Sequence, residues 1–166
     1  MRKNVGRKLL LSAVGILLVV FATLAYSHCQ IPCGIYGDEA RLAAISENIT
    51  TIEKSMKQIT ELSSADKPNM NQIVRWVQNK EKHADDTSEI ITYYFMAQRI
   101  KPASKSETAA YEEYIKKLSL LHEMLISCMK AKQTTDLLHV EKLRSSLLKF
   151  RDAYFGKGEG EHGHKH

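Results

Sequence analysis

Apolar residues recur every three or four positions over most of the chain, which is the spacing of one face of an amphipathic helix. A first helix is predicted over residues 38–63, with Asp38 as its N-cap and Glu39 in its first turn. Its apolar stripe consists of Leu42, Ile45, Ile49, Ile52, Met56, Ile59 and Leu62. A polar stretch that contains Pro68 separates this helix from the next.

A second, longer helix is predicted from about Met70 to Ile100, and Pro102 ends it. The capping box Ser104-x-x-Glu107 predicts the start of a third helix. Residues 134–136 predict the start of a fourth, which Gly156 closes. The apolar stripes of these helices are Ile73, Val77, Ala84, Ile91 and Tyr94; Tyr111, Tyr114, Leu118, Leu121, Leu125 and Cys128; and Leu137, Val140, Leu143, Leu147, Phe150 and Tyr154.

Four amphipathic helices joined by short links predict an all-α fold, an up-down-up-down four-helix bundle over residues 37–155. No segment alternates apolar and polar residues with a period of two, so no strand is expected. The tail over residues 156–166 is Gly-rich and charged, which predicts disorder. Its histidines, His162, His164 and His166, either bind metal loosely or belong to a polar tail.

The first 27 residues predict a cleavable signal peptide. Four basic residues occur in residues 2–8, residues 9–25 are almost wholly apolar, and Ala25 and Ser27 precede His28 at a small-x-small cleavage site. We therefore expect signal peptidase to remove residues 1–27 and the protein to be exported, to the periplasm or the extracellular medium. A retained membrane anchor is the competing interpretation, because the apolar run is near the lower length limit for a span.

Cleavage would lower the net charge from +5 to about +1, because the leader holds four basic residues and no acid. The basic character of the whole chain therefore belongs mostly to the leader. No basic stripe interleaved with aromatic residues remains after it, so nucleic acid is not expected as a partner.

Candidate metal ligands are concentrated directly after the predicted cleavage site. As the first residue, His28 offers a free α-amine and an imidazole, Cys29 an amide nitrogen and a thiolate, and Cys33 a second thiolate. Two nitrogens and two sulfurs with an added imidazole suit Ni(II) or Cu(II), whereas zinc prefers a tetrahedron. Before cleavage the amine is a peptide nitrogen, so the leader would keep the site incomplete.

Pro32 and Gly34 flank Cys33 and favour a tight turn that folds Cys33 back towards Cys29. Tyr36 follows closely enough to place its phenol over the open face of a metal. The two cysteines could instead form a small disulfide loop in an oxidising compartment. Cys128 is left over in either case, and its position on an apolar stripe predicts a buried structural thiol.

The pattern His28-Cys29-x-x-Pro32-Cys33-Gly34-x-Tyr36 resembles the nickel hook of the nickel-containing superoxide dismutases. Residues 79–84, Tyr94-Phe95 and Lys101-Pro102 also look like the second-helix region of that family. The resemblance implies a four-helix bundle that assembles as a homohexamer, with one nickel ion per chain bound by His28, Cys29 and Cys33.

The resemblance further implies that nickel alternates between Ni(II) and Ni(III), while one superoxide is oxidised to O₂ and the next is reduced to H₂O₂. Aqueous Ni(II) cannot be oxidised to Ni(III) at a useful potential, whereas anionic thiolate and amide donors stabilise Ni(III). Pro32 would be a cis proline, Tyr36 would lie at the substrate pocket, and the Tyr94 phenol would hydrogen-bond towards Tyr36.

The chain departs from the family pattern around the axial imidazole. The third hook position is often Asp, and here it is Gln30. In some members an acid on the first helix and an arginine on the second orient the imidazole; here those places fall at Ala43 or Ala44 and at Asn79. The candidates to replace them are Asn79, Lys80 and Glu81.

Two other functions are compatible with these residues: an exported nickel or copper carrier or sensor, and a helical interaction domain with an N-terminal disulfide. Tyr36 and the turn at Pro32 and Gly34 favour the enzyme, because a carrier needs donors but no gated open face. Among the remaining candidates, solvated helical histidines are expected at His83, His122 and His139, and basic residues able to steer superoxide at Lys101, Lys130 and Lys132.

Overall fold

The structure is a computed structural model that describes residues 37–156, so the predicted leader and hook and the tail beyond Gly156 lie outside the described residues. Its elements are α1 (Asp38–Ser63), α2 (Met70–Glu89), a π-helical segment (Ile90–Arg99), α3 (Thr108–Gln133) and α4 (Leu138–Phe155). Over residues 37–156 all regular secondary structure is helical and there is no strand, which confirms the predicted all-α class. No helix in this range is long and apolar enough to cross a membrane.

Helices α1 and α2 pack against each other in opposite directions. Asn48 on α1 contacts His83 on α2, and Ser55, further along α1, contacts Asn79, which comes earlier on α2. The short link of residues 64–69 therefore turns the chain back on itself, as the polar stretch predicts.

Helix α4 closes the bundle by packing antiparallel to α1 on its other side. Asp38 at the start of α1 contacts Tyr154 near the end of α4, and Glu53 contacts Arg144, which comes earlier on α4. Because α3 packs against both α2 and α4, each helix has two neighbours, in the arrangement of an up-down-up-down bundle.

The core between the helices is apolar and mostly fully buried. The α1 stripe is buried from Leu42 to Met56, as predicted, whereas Ile59 and Leu62 are only half-buried. On α3 the buried face includes Leu120 and Met124, which the predicted stripe omitted. Burying each large apolar side chain contributes about 1.5–3 kcal/mol, so these stripes provide much of the stability that orders the bundle.

Three helix boundaries differ from the sequence predictions. Gly37, not Asp38, is the N-cap of α1, because the Asp38 carboxylate bonds to groups outside its own helix. Ser104 forms a short turn with Ser106 instead of a capping box, and α3 begins at Thr108. Asp136 accepts a bond from the Leu138 amide at 2.9 Å, so α4 begins two residues later than predicted.

The predicted second helix has the expected length but changes its winding at Ile90. The sequence there, residues 90–95, is a run of β-branched and aromatic residues, which lose side-chain freedom in an α-helix. The Ile100 amide donates to the Phe95 carbonyl at 3.0 Å, the five-residue hydrogen bond of a π-helix. Single-turn π-bulges often occur at functional sites, and this segment is much longer.

Candidate metal centre

Most of the predicted nickel site lies outside residues 37–156. This holds for the candidate ligands and for the turn and pocket residues, namely His28, Cys29, Pro32, Cys33, Gly34 and Tyr36. Tyr94 is the predicted site residue that the structure describes, and it is buried in the π-helical segment. The described part of the predicted site therefore consists of Tyr94 and the side chains around it.

Asp38, two residues after Tyr36 in the sequence, is the hydrogen-bond acceptor at the centre of this region. The Tyr94 hydroxyl donates to one carboxylate oxygen at 2.6 Å, and the Tyr154 hydroxyl donates to the other at 2.8 Å. The Nε atom of Arg99 lies 2.9 Å from the first oxygen. We call these four residues, Asp38, Tyr94, Arg99 and Tyr154, the Asp38 cluster.

The winding of the π-helical segment brings Tyr94 and Arg99 to the same side. Residues five apart in an α-helix point about 140° away from each other, because each turn takes 3.6 residues. In a π-helix the bond between positions i and i+5 places such residues one above the other. The Arg99 guanidinium accordingly lies 4.8 Å from the centre of the Tyr94 ring, and its Nη2 donates to the Tyr94 hydroxyl at 2.9 Å.

Aromatic side chains of the core pack against the rings of Tyr94 and Tyr154. Phe95 is fully buried and meets the rings of Tyr94, Phe150 and Tyr154 edge to face, at centroid distances of 5.1, 5.1 and 5.7 Å. Edge-to-face contacts favour fixed ring orientations. The two phenols are therefore directed at Asp38 by the apolar core.

The surroundings of Asp38 keep its carboxylate ionised. Partial burial opposes the charge, but the hydrogen bonds from Tyr94 and Tyr154 and the charge of Arg99 outweigh it. The pKa of Asp38 is consequently held below its usual value. At neutral pH the cluster thus contains one carboxylate and one guanidinium.

The same arrangement keeps both phenols protonated. Burial, followed by the hydrogen bond to the Asp38 carboxylate, raises the pKa of Tyr94 and the pKa of Tyr154. Arg99 opposes the rise at Tyr94 through its hydrogen bond and its charge. Tyr94 is therefore a neutral phenol at physiological pH, able to donate a hydrogen bond and to hold a proton.

The proposed substitutes for the missing imidazole-orienting pair have partners elsewhere in the bundle. Asn79 donates to Ser55 at 3.0 Å, and Ser55 lies about 25 Å along α1 from Asp38 at 1.5 Å per residue. Lys80 is buried and donates to the main-chain carbonyls of Ala131, Lys132 and Thr134 at the end of α3. Glu81 lies 3.4 Å from Lys80 and 3.6 Å from Lys132.

The other candidate side chains do not form a second metal site within residues 37–156, where no group of three His, Cys, Asp or Glu could hold a metal ion. His83 is half-buried instead of solvated, and its Nδ1 lies 2.7 Å from the Asn48 side-chain oxygen. Cys128 is a buried free thiol, as predicted. Lys132 is paired with Asp85 at 2.7 Å, whereas Lys101 and Lys130 are exposed.

From the sequence alone, Asp38, Arg99 and Tyr154 were not expected to belong to one cluster. Asp38 resembled an ordinary helix cap and Tyr154 an ordinary core position. The sequence signal for Arg99 is its place five residues after Tyr94, which is informative only once a π-helix is recognised. The β-branched and aromatic run at residues 90–95 is the feature that could have suggested one.

Comparison with known proteins completes the assignment. A model of the family of nickel-containing superoxide dismutases matches residues 23–157, which is more than half of the chain and includes the bundle and the predicted hook. Comparisons with curated proteins and with solved structures gave no match. The chain therefore belongs to the nickel-containing superoxide dismutase family, and it is an oxidoreductase that uses nickel to act on superoxide.

Proposed function

We propose that this enzyme dismutates superoxide at a nickel ion held by His28, Cys29 and Cys33, after cleavage of the bond between Ser27 and His28. Two superoxide ions and two protons give one O₂ and one H₂O₂. Nickel supplies the one-electron redox chemistry when bound. The observation that supports this placement is that Tyr94, the predicted hydrogen-bond partner of Tyr36, donates to Asp38, which lies two residues after Tyr36 in the chain.

The donor set fits nickel on chemical grounds. His28, Cys29 and Cys33 would offer an α-amine, a deprotonated amide and two thiolates, an anionic set that suits Ni(II) better than zinc. The imidazole of His28 would be available as a further nitrogen donor. Within residues 37–156, no group of three His, Cys, Asp or Glu could hold a metal ion.

Tyr94 and Tyr36 would serve the reaction as phenols beside the metal. The raised pKa of Tyr94 keeps its proton in place, and the contacts with Asp38 and Arg99 fix the direction in which the hydroxyl points. A fixed neutral phenol can order water or the superoxide anion by hydrogen bonding and can exchange a proton. Tyr36, which directly precedes Gly37, would complete the pocket.

Export and assembly belong to the same proposal. The basic and apolar leader supports removal of residues 1–27 and function in the periplasm or the extracellular medium. Large apolar side chains are exposed on α2 and α3, among them Met70, Val74, Ile126 and Met129. Exposed apolar residues of this kind support association of chains, and the family resemblance suggests a homohexamer.

The decisive experiment compares the processed protein, residues 28–166, with a variant that retains Ser27 before His28. We expect one nickel per chain and dismutase activity in the first and loss of both in the second, because the added residue converts the amine into an amide. N-terminal sequencing of protein secreted by an expressing cell locates the natural cleavage site. Full activity with the additional residue would contradict the proposed ligand set.

Cysteine variants of the processed protein provide a matched test of the thiolates. C29S and C33S are expected to lose nickel and activity, whereas C128S is expected to keep both, because Cys128 is buried on α3. Loss of nickel from all three variants would point to general misfolding and not to ligation.

A further inference from the structure

We infer that Asp38 is a positioning residue that fixes the base of the nickel-binding arm against the π-helical segment and the end of α4. The inference rests on the proposed function, which places the metal on residues 28–36. It concerns the described Asp38 cluster, whose members come from three separate elements: α1, the π-helical segment and α4.

The Asp38 carboxylate contacts side chains of two other elements and does not cap its own helix. Gly37 is the N-cap of α1, and the two oxygens of the Asp38 carboxylate accept hydrogen bonds from Tyr94 and Tyr154, which lie 56 and 116 positions further along the chain. Both donors are phenols whose rings pack against Phe95 in the core. The first residue of α1 is therefore held by side chains that pack in the aromatic part of the core.

Chain geometry transmits this fixation to the arm. An extended chain advances at most about 3.6 Å per residue, so chain connectivity limits the distance from the Asp38 Cα to about 7 Å for the Cα of Tyr36 and about 18 Å for that of Cys33. Fixing Asp38 consequently limits the space that the arm explores and reduces the entropy lost when the metal closes it. The effect is greatest for Tyr36, which is nearest in sequence.

Arg99 contacts both Asp38 and the Tyr94 hydroxyl. One side of its guanidinium faces Asp38, while Nη2 donates to the Tyr94 hydroxyl. The ion pair between Asp38 and Arg99 is therefore expected both to hold the base of the arm and to direct the Tyr94 hydroxyl. A change at Asp38 should affect both metal binding and the surroundings of the metal.

The matched control for Asp38 is Glu39, the adjacent acid in the same first turn of α1. Glu39 is exposed and its carboxylate has the same relation to the helix dipole. D38N and E39Q remove one negative charge each at neighbouring positions, but only D38N weakens the cluster. The corresponding pair for the phenols is Y154F and Y93F, because Tyr93 is 52% exposed.

The test uses the processed protein, residues 28–166, and measures the nickel Kd by chelator competition. We expect D38N to weaken nickel binding about tenfold, the lower end for residues that orient metal ligands. D38N should also speed amide hydrogen exchange in peptides from residues 28–37 and shift the thiolate-to-nickel absorption band. Y154F should act in the same direction with a smaller effect, while E39Q and Y93F leave all three readouts unchanged.

The outcomes separate this inference from the proposed function. If the unmodified processed protein binds no nickel, the ligand assignment fails. If it binds nickel and D38N and Y154F match their controls in Kd, exchange and absorption, the positioning function of Asp38 is wrong, even where unfolding temperatures fall. If D38N does not fold, Y154F decides alone, since it keeps its ring in the core.

Discussion

Arg99 lies five residues after Tyr94, and its guanidinium is both stacked over the Tyr94 ring at 4.8 Å and bonded to the Tyr94 hydroxyl at 2.9 Å. This relationship exists because the chain between them is wound as a π-helix. The local winding of this segment thus determines which charged side chain contacts the Tyr94 phenol.

Replacement of Arg99 by methionine should raise the pKa of Tyr94 further. In the native protein, burial and the bond to Asp38 raise that pKa, while the hydrogen bond and charge of Arg99 lower it. R99M removes the lowering contribution and retains an aliphatic stem over the ring. Ultraviolet difference titration of R99M against Y94F/R99M identifies the phenol that changes.

R99M should also destabilise the nickel-free protein by about 1–2 kcal/mol, which is below the usual range of about 1.5–3 kcal/mol for hydrogen bonds to charged groups because the Arg99 side chain is partly exposed to water. The control is K101M, because Lys101 is exposed and lies just beyond the π-helical segment. An unchanged Tyr94 titration in R99M would show that Arg99 does not contribute to the surroundings of the phenol.

The fold could be predicted from the sequence because apolar spacing reports directly on which helix face is buried. Ile45, Ile49 and Ile52 are fully buried, as their spacing predicts. The position of Asp38 in a cluster could not be predicted, because an acid before a helix satisfies the local rule for an N-cap equally well. Its actual partners are set by packing between three elements.

In the candidate site, too, the sequence predicts some features and not others. The hook ligands follow from residue types at fixed spacing in one short segment, so they can be proposed from sequence alone. Lys80 was suggested as a partner of the imidazole, yet it donates to carbonyls at the end of α3. Residue counting places a side chain along a helix but does not determine the direction in which it points.

Stability should depend on pH through Asp38 in a defined direction. Its folded pKa lies below the unfolded value, which is about 3.9 for aspartate. Its contribution to the free energy of unfolding is thus fully present above about pH 5 and lost as the pH falls through the folded pKa. The stability difference between the wild type and D38N should shrink in that window.

The comparison uses nickel-free protein, so that protonation of the metal ligands does not enter, and guanidinium unfolding at several pH values. E39Q is the control, and its stability difference from the wild type should stay small throughout. A difference between the wild type and D38N that grows as the pH falls below 4 would contradict the low pKa of Asp38.

Replacement of Lys80 by methionine should destabilise the bundle substantially. The Lys80 side chain is 4% exposed, and its ammonium group satisfies three carbonyls at the junction of α3 and α4. Methionine fills similar space but donates no proton, so buried carbonyls lose their partner. The expected cost is about 2–3 kcal/mol, measured by urea unfolding.

The control for K80M is K82M, two residues away on α2. Lys82 is 69% exposed and pairs with Asp86 within the helix, an interaction that contributes about 0.3–0.5 kcal/mol. Similar losses of stability in K80M and K82M would show that capping of α3 by Lys80 has little energetic importance.

Alkylation should distinguish Cys128 from the other two cysteines. Burial raises the pKa of the Cys128 thiol to about 12, with the neighbouring Ser88 hydroxyl opposing the rise only in part. Because the thiolate is the reactive form, native Cys128 should resist iodoacetamide at pH 8. In nickel-free, reduced, processed protein, intact-mass spectrometry should therefore show two labels, on Cys29 and Cys33, and a third only after denaturation.

C128A serves as the control, with the same two labels under both conditions. Rapid labelling of native Cys128 would mean that α3 opens readily in solution, which its full burial against the core argues against.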